Sequence, residues 1–113
     1  MTRPASMKTN WFHILLAVAD APLHGYGIRQ EVAERTGGTV TLWPGVLYRS
    51  LKALMELGWI RESDPPDDAP ADARRRRFYA VTPSGLEALG REAGRMNAYL
   101  QAARDKGVPF RHV

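Results

Sequence analysis

A small, mainly α-helical domain carrying one β-hairpin is the fold class this sequence predicts. Three observations predict it. Apolar residues recur at helical spacing in four segments. Two short β-prone runs flank a joint crowded with proline and aspartate. The last segment keeps a regular three-four apolar repeat almost to its end. With 113 residues the chain has room for one domain and not comfortably two. Its lack of cysteine excludes a disulfide framework and a thiolate metal site. A net charge of +4 suits a polyanionic partner, but equally an ordinary solvated surface.

Taken in order, residues 1–7 read as a flexible lead-in. Over residues 9–20, Phe12, Leu15, Leu16 and Ala19 fall at i, i+3, i+4 and i+7, which is one helical face. Pro22 ends this helix, because proline disfavours helical backbone at the residue before it. The region has a superficial likeness to an export signal, with Arg3 and Lys8 ahead of apolar residues and Ala19-Asp20-Ala21 behind them. Its unbroken apolar run, residues 14–19, is shorter than a signal core, and nothing approaches the length of a membrane span. The expected location is therefore cytoplasmic, with no membrane partner.

Gly25 and Gly27 mark a turn, and a second helix follows over residues 26–35, with Ile28 and Val32 inward and Gly37-Gly38 closing it. Residues 40–42 read as a very short strand. Pro44 opens a third helix that Gly58 terminates. Leu47, Leu51 and Leu54 form its buried stripe, and Tyr48, Arg49 and Lys52 lie opposite. Strands at 59–63 and 76–81 are joined by residues 64–73, which hold three prolines and four aspartates and are expected to be mobile. Thr82 caps and Pro83 opens a last helix reaching about Lys106, roughly 35 Å long at about 1.5 Å per residue. Residues 8–82 then form a winged-helix unit and residues 83–106 a C-terminal helix in the same compact body, with 1–7 and 107–113 as flexible ends. Three helices followed by a hairpin make a winged helix-turn-helix with a long C-terminal helix.

Three features carry functional expectation. The third helix can pack one face on its neighbours while Tyr48, Arg49 and Lys52 offer donors to the major groove of double-stranded DNA. A solvated basic face is the alternative. Arg74, Arg75, Arg76 and Arg77 place four guanidinium groups beside the hairpin, and a planar fork suits phosphate oxygens. If strand pairing already holds at Arg76, Phe78 shares its face and Tyr79 shares that of Arg77, so that one aromatic enters the core. The alternative is a solvated run neutralised by Asp64, Asp67, Asp68 and Asp72. The last helix spaces Leu86, Leu89, Ala93, Met96, Leu100 and Ala103 by three and four, the pattern of a helix seam. Its length exceeds what so small a domain must cover, so a partner copy is expected along it. Packing on its own domain is the alternative.

Nothing points to catalysis. His13, His24 and His112 are scattered without a carboxylate pair, so no metal or cofactor is expected, and His24 is assigned a structural hydrogen bond in its turn. Ser50, Ser63 and Ser84 have no evident base partner, and there is no Gly-rich phosphate loop.

Pro22-Leu23-His24-Gly25-Tyr26-Gly27-Ile28 resembles the signature turn of the PadR family of transcriptional regulators. Residues 44–54 resemble that family's recognition helix, and residues 77–85 its second wing strand and the start of its final helix. The single short C-terminal helix is similar to the smaller PadR subgroup. The resemblance implies a homodimer that binds an inverted-repeat operator and usually represses, with Tyr48, Arg49, Lys52 and the wing arginines facing DNA. It also implies a flat aromatic effector at the dimer interface, in a cavity that Trp11, Met96 and Tyr99 would line. Ordinary core or interface packing is the other reading of those three. Val46 stands where the family often has threonine or serine, and Trp43 where it often has a small residue. A winged-helix protein-interaction module without specific DNA binding is the rival reading of the whole chain.

Overall fold

The computed structural model describes residues 7–110. Expectations for residues 1–6 and 111–113, His112 among them, lie outside the described residues. Four helices surround a small three-stranded antiparallel sheet.

Helix α1 (Thr9–Ala17) is shorter than its apolar pattern predicts. Its last turn tightens at Ala19, whose N–H reaches the Leu16 carbonyl at 3.3 Å. The buried face is also rotated from the expected one: Ile14, Leu15, Ala17 and Val18 enter the core and Leu16 stays exposed. The helix is covered on several sides, by α2, α3 and α4, so a one-sided wheel misjudges it. Met7, expected in the flexible lead-in, packs against this core.

Strand β1 (Leu23–His24) follows, and was not expected. It pairs antiparallel with β3 (Phe78–Val81), Leu23 opposite Tyr79 and His24 opposite Phe78. β2 (Ile60–Ser63) pairs along the other edge of β3, giving the order β1-β3-β2. The strand expected at 40–42 is absent. That stretch is irregular, with the Leu42 side chain buried and its carbonyl accepting from Arg29 Nε at 2.6 Å.

Helix α2 (Gly25–Arg35) is capped by His24, whose Nδ1 accepts from the Gly27 N–H at 3.0 Å. This is the structural hydrogen bond expected of that histidine. Helix α3 (Pro44–Glu56) turns Leu47, Leu51 and Leu54 inward and ends at Gly58, whose φ of 74° is natural only for glycine. The second hairpin strand, expected from Arg76, starts two residues later. A 3₁₀ turn spans Ala73–Arg75, held by Arg76 N–H donating to the Ala73 carbonyl at 2.9 Å, and pairing begins only at Phe78. Both aromatics of β3 are buried, Phe78 at 4% exposure and Tyr79 at 5%. The Phe78 and His24 rings meet in a T-shaped contact with centroids 5.3 Å apart, while Tyr79 joins the main core. The sequence puts one aromatic in the core, and the structure buries both, because both faces of β3 are covered.

Helix α4 (Pro83–Asp105) starts on a tight junction. Thr82 caps it, accepting from the Gly85 N–H at 3.1 Å. The same hydroxyl donates to the Gly58 carbonyl at 2.6 Å, and the Thr82 N–H donates to the Trp59 carbonyl at 3.0 Å. Gly85 sits so close that a Cβ there would stand 2.1 Å from the Trp59 oxygen. Only Gly85, Ala88 and Leu89 of this helix are buried, so most of its length runs beyond the core. No helix among the described residues is long and apolar enough to cross a membrane.

Candidate nucleic-acid interface

Helices α2 and α3 form the helix-turn-helix, and Arg29 fixes the turn between them through the Leu42 carbonyl. Because the leucine stripe of α3 faces the core, Tyr48, Arg49 and Lys52 are left exposed on its other side, as expected. Two small residues make room for them. The Arg49 Nη1 atom comes within 3.2 Å of where a Cβ on Gly45 would stand, so its guanidinium folds back over the first turn of α3. The Tyr48 hydroxyl lies 3.2 Å from the corresponding point on Gly25, against the first turn of α2.

A solvent-open hollow of about 570 Å³ separates this helix from the wing. Tyr48 forms one wall, and His24, Gly25 and Tyr26 at the start of α2 form the floor. Arg75, Arg76, Arg77 and Tyr79 close the other side. A second hollow of about 520 Å³ adjoins it along α3, lined by Lys52, Met55 and Glu56 and sharing Tyr48, Arg77 and Tyr79. Aromatic rings grade the floor of the first: His24 lies nearly parallel to Tyr26 at 6.4 Å, and Arg76 sits over Tyr26 at 5.9 Å. Tyr26 was not among the expected site residues. Its exposure follows from the turn of α2, which no apolar periodicity reports.

The four arginines divide. Arg74 donates from Nη1 to the Pro66 carbonyl at 3.1 Å and, more weakly, to that of Asp67 at 3.4 Å, so it straps the wing loop rather than facing outward free. Arg77 stands 3.6 Å from the Glu62 carboxylate across the β2–β3 pair, an exposed contact of small energetic weight. Arg75 and Arg76 make no ion pair among the described residues. The wing aspartates, weighed as neutralising partners, hold none of the arginines in ion pairs there.

Titration follows this geometry. Burial, and after it the Arg76 guanidinium, pushes the His24 imidazole below its ordinary value, with Asp72 pulling the other way. Neutral His24 is the form that can accept from Gly27, so the shift and the cap agree. Burial raises the Tyr79 hydroxyl, partly offset by Arg77. On the far side of α2, burial and then Arg35 lower His13, whose carbonyl accepts from Arg35 Nη2 at 3.1 Å.

Away from this face, the expected seam residues of α4 part company. Leu89 is 7% exposed and belongs to the domain's own core, a correction to its place in the seam. Leu86, Ala93 and Leu100 are exposed, and Met96 and Ala103 are half-buried. Tyr99 is exposed beside them. Trp11 meets Trp59 edge-on at 6.1 Å, under Lys8 Nζ at 5.3 Å. It lines a hollow of about 280 Å³ with Val46, Arg49 and Ser50 rather than with Met96 or Tyr99. Among the described residues no group of three His, Asp or Glu side chains could hold a metal ion.

A helix-turn-helix with a basic outer face, a hairpin wing beside it and a long final helix define a winged-helix protein. The transcriptional regulator PadR-like family matches residues 14–91, and the chain belongs to that family of transcriptional regulators. A 37.1 kDa protein of unassigned role from a transposon of Streptomyces fradiae is 33% identical over 105 residues. That match takes in 91% of this chain but only 28% of the longer protein. Among solved structures, a PadR family transcription regulator from Clostridium difficile superposes with a TM-score of 0.69 at 20% identity, covering 84% of this chain and 94% of that one. F93 from STIV, a winged-helix DNA-binding protein, gives 0.64 at 20% identity, over 81% and 91% of the two chains. These likenesses establish the fold.

Proposed function

We propose that the chain is a repressor that binds an operator of inverted-repeat character as a homodimer. The carrying observation is that Tyr48 and Lys52 of α3 stand across adjoining open hollows from Arg75, Arg76 and Arg77, with Arg49 exposed on the same helix. α3 enters the major groove, and the wing arginines lie along the adjoining phosphates. Two subunits pair through α4, whose exposed Leu86, Ala93 and Leu100, with Met96 and Ala103 beside them, form an apolar stripe that the described residues leave largely uncovered. Residues 8–82 and the start of α4 act as the reading unit, and the rest of α4 as the dimer arm.

Trp11, Met96 and Tyr99 would line the site of a flat aromatic effector at the subunit interface, although within one chain Trp11 packs edge-on against Trp59. An effector relieves repression if it prefers one spacing of the recognition helices over another. Titration of planar aromatic compounds while following tryptophan fluorescence tests this; a flat response across a broad panel removes the effector from the reading.

The DNA reading is tested by fluorescence anisotropy, comparing duplex DNA from upstream of the chain's own gene with random duplex of equal length. Binding at least about a thousandfold tighter to the former is expected, the lower end of the range that separates specific from non-specific sites, about 10³–10⁷. Equal binding to both refutes it and favours a protein-interaction role for the same face.

A further inference from the structure

The end of α3 that enters the groove first carries an unusual group. Trp43, the residue before Pro44, is 65% exposed, one of the largest apolar side chains left in water. It is not held out by a loose loop. Its predecessor Leu42 is 1% exposed and has its carbonyl bonded to Arg29 at 2.6 Å, and Trp43's own carbonyl accepts from the Leu47 N–H at 2.9 Å. The backbone is therefore pinned on both sides while the indole projects from the helix end. The turn that follows is almost bare. Pro44 has no N–H, Gly45 has no side chain, and Val46 is half-buried towards Trp11. The next polar groups are Tyr48 and Arg49, with the Arg49 guanidinium folded back over Gly45.

The residues at the start of a recognition helix are those that reach base edges. There, each base pair shows a different pattern, and only thymine shows an apolar group, its C5-methyl. A pinned indole with little beside it to make hydrogen bonds is matched to that methyl. We propose that Trp43 is a specificity-determining residue that reads the C5-methyl of one thymine in each operator half-site, with Arg49 contacting the base or phosphate next to it. The inference rests on the DNA-binding reading above.

The test starts from the tightest duplex that the full chain selects out of a random-sequence library. Each thymine of the half-sites is replaced in turn by deoxyuridine, which removes the methyl and keeps the pairing. At one position, deoxyuridine should weaken wild-type binding about fourfold per methyl, the worth of one buried carbon. Trp43→Ala, acting in both half-sites, should bind the parent duplex at least about sixteenfold more weakly, bind random duplex unchanged, and be indifferent to the deoxyuridine. Trp43→Phe should retain most of the sensitivity. Wild-type binding that is insensitive to deoxyuridine at every position overturns the inference and leaves the operator reading intact, whatever the folding of the variants. So does a Trp43→Ala loss that is equal on random duplex. Failure of the wild type to select any sequence overturns the operator reading itself, and this inference with it.

Discussion

Because Arg74 is strapped to the wing backbone and Arg75 and Arg76 are not, the three should differ in their share of the salt dependence of DNA binding. Each phosphate neutralised contributes about 0.9 to the slope of log K against log salt. In a dimer each substitution acts twice, so Arg76→Ala should lower the slope by about 1.8. Between 50 and 200 mM salt, that difference shrinks the ratio of wild-type to variant affinity by about twelvefold. Arg75→Ala should behave alike. Arg74→Ala should leave the slope within about 0.3 of wild type, since its guanidinium already donates to the Pro66 and Asp67 carbonyls. Arg77→Ala should fall between, because Glu62 shares its charge at 3.6 Å. Anisotropy titrations of a labelled duplex at several salt concentrations read these slopes directly. An Arg74→Ala slope reduced as much as that of Arg76→Ala would refute the division of roles.

Gly85→Ala should destabilise the fold by about 1–3 kcal/mol or more, as measured by urea unfolding, because the new methyl meets a backbone carbonyl that cannot swing away. His24→Ala should cost about 1 kcal/mol through the lost cap. The folded-state pKa of His24 is lowered, so the unfolded chain binds more protons and the stabilisation is complete only above the ordinary histidine value. It is lost as pH falls through the lowered value, and urea titrations from pH 7.5 to 5 should show a shallower decline in His24→Ala than in wild type. His13 titrates in the same direction and should keep its share in that variant. Leu100→Glu should shift the chain to monomer in sedimentation with unchanged far-UV circular dichroism, because the side chain is outside its own core; a variant that stays dimeric places the interface elsewhere.

The helices of the reading unit were legible because their signals are local. Leu47, Leu51 and Leu54 repeat with the helix, Gly58 stops it, and Thr82-Pro83 starts the next. Tyr48, Arg49 and Lys52 followed from the same periodicity, read on its outer side. What escaped was set by distant pairing. Leu23 and His24 are too few to show a strand period, and they become one only because β3 offers them an edge. The second strand reads from Arg76 in the sequence but begins at Phe78, because Arg76 N–H is tied to the Ala73 carbonyl at the end of the 3₁₀ turn. Leu89 fits the seam repeat perfectly well as sequence, and only the placement of α4 on the domain shows that it points inward. Tyr26 and its ring partners lay hidden for a similar reason, since their grouping is made by the meeting of α2 and the wing.

The junction at Trp59 makes α4 something like a tiller. Its near end cannot slide, with Gly85 pressed on the Trp59 carbonyl and Thr82 tied to Gly58 and Trp59. A displacement of about 3 Å at the far end of an arm roughly 35 Å long turns the near end by about 5°. That turn is delivered at Gly58 and Trp59, between the end of the recognition helix at Glu56 and the start of β2 at Ile60. Whatever repositions the far end of α4 is thereby steered into the angle between the helix and the wing.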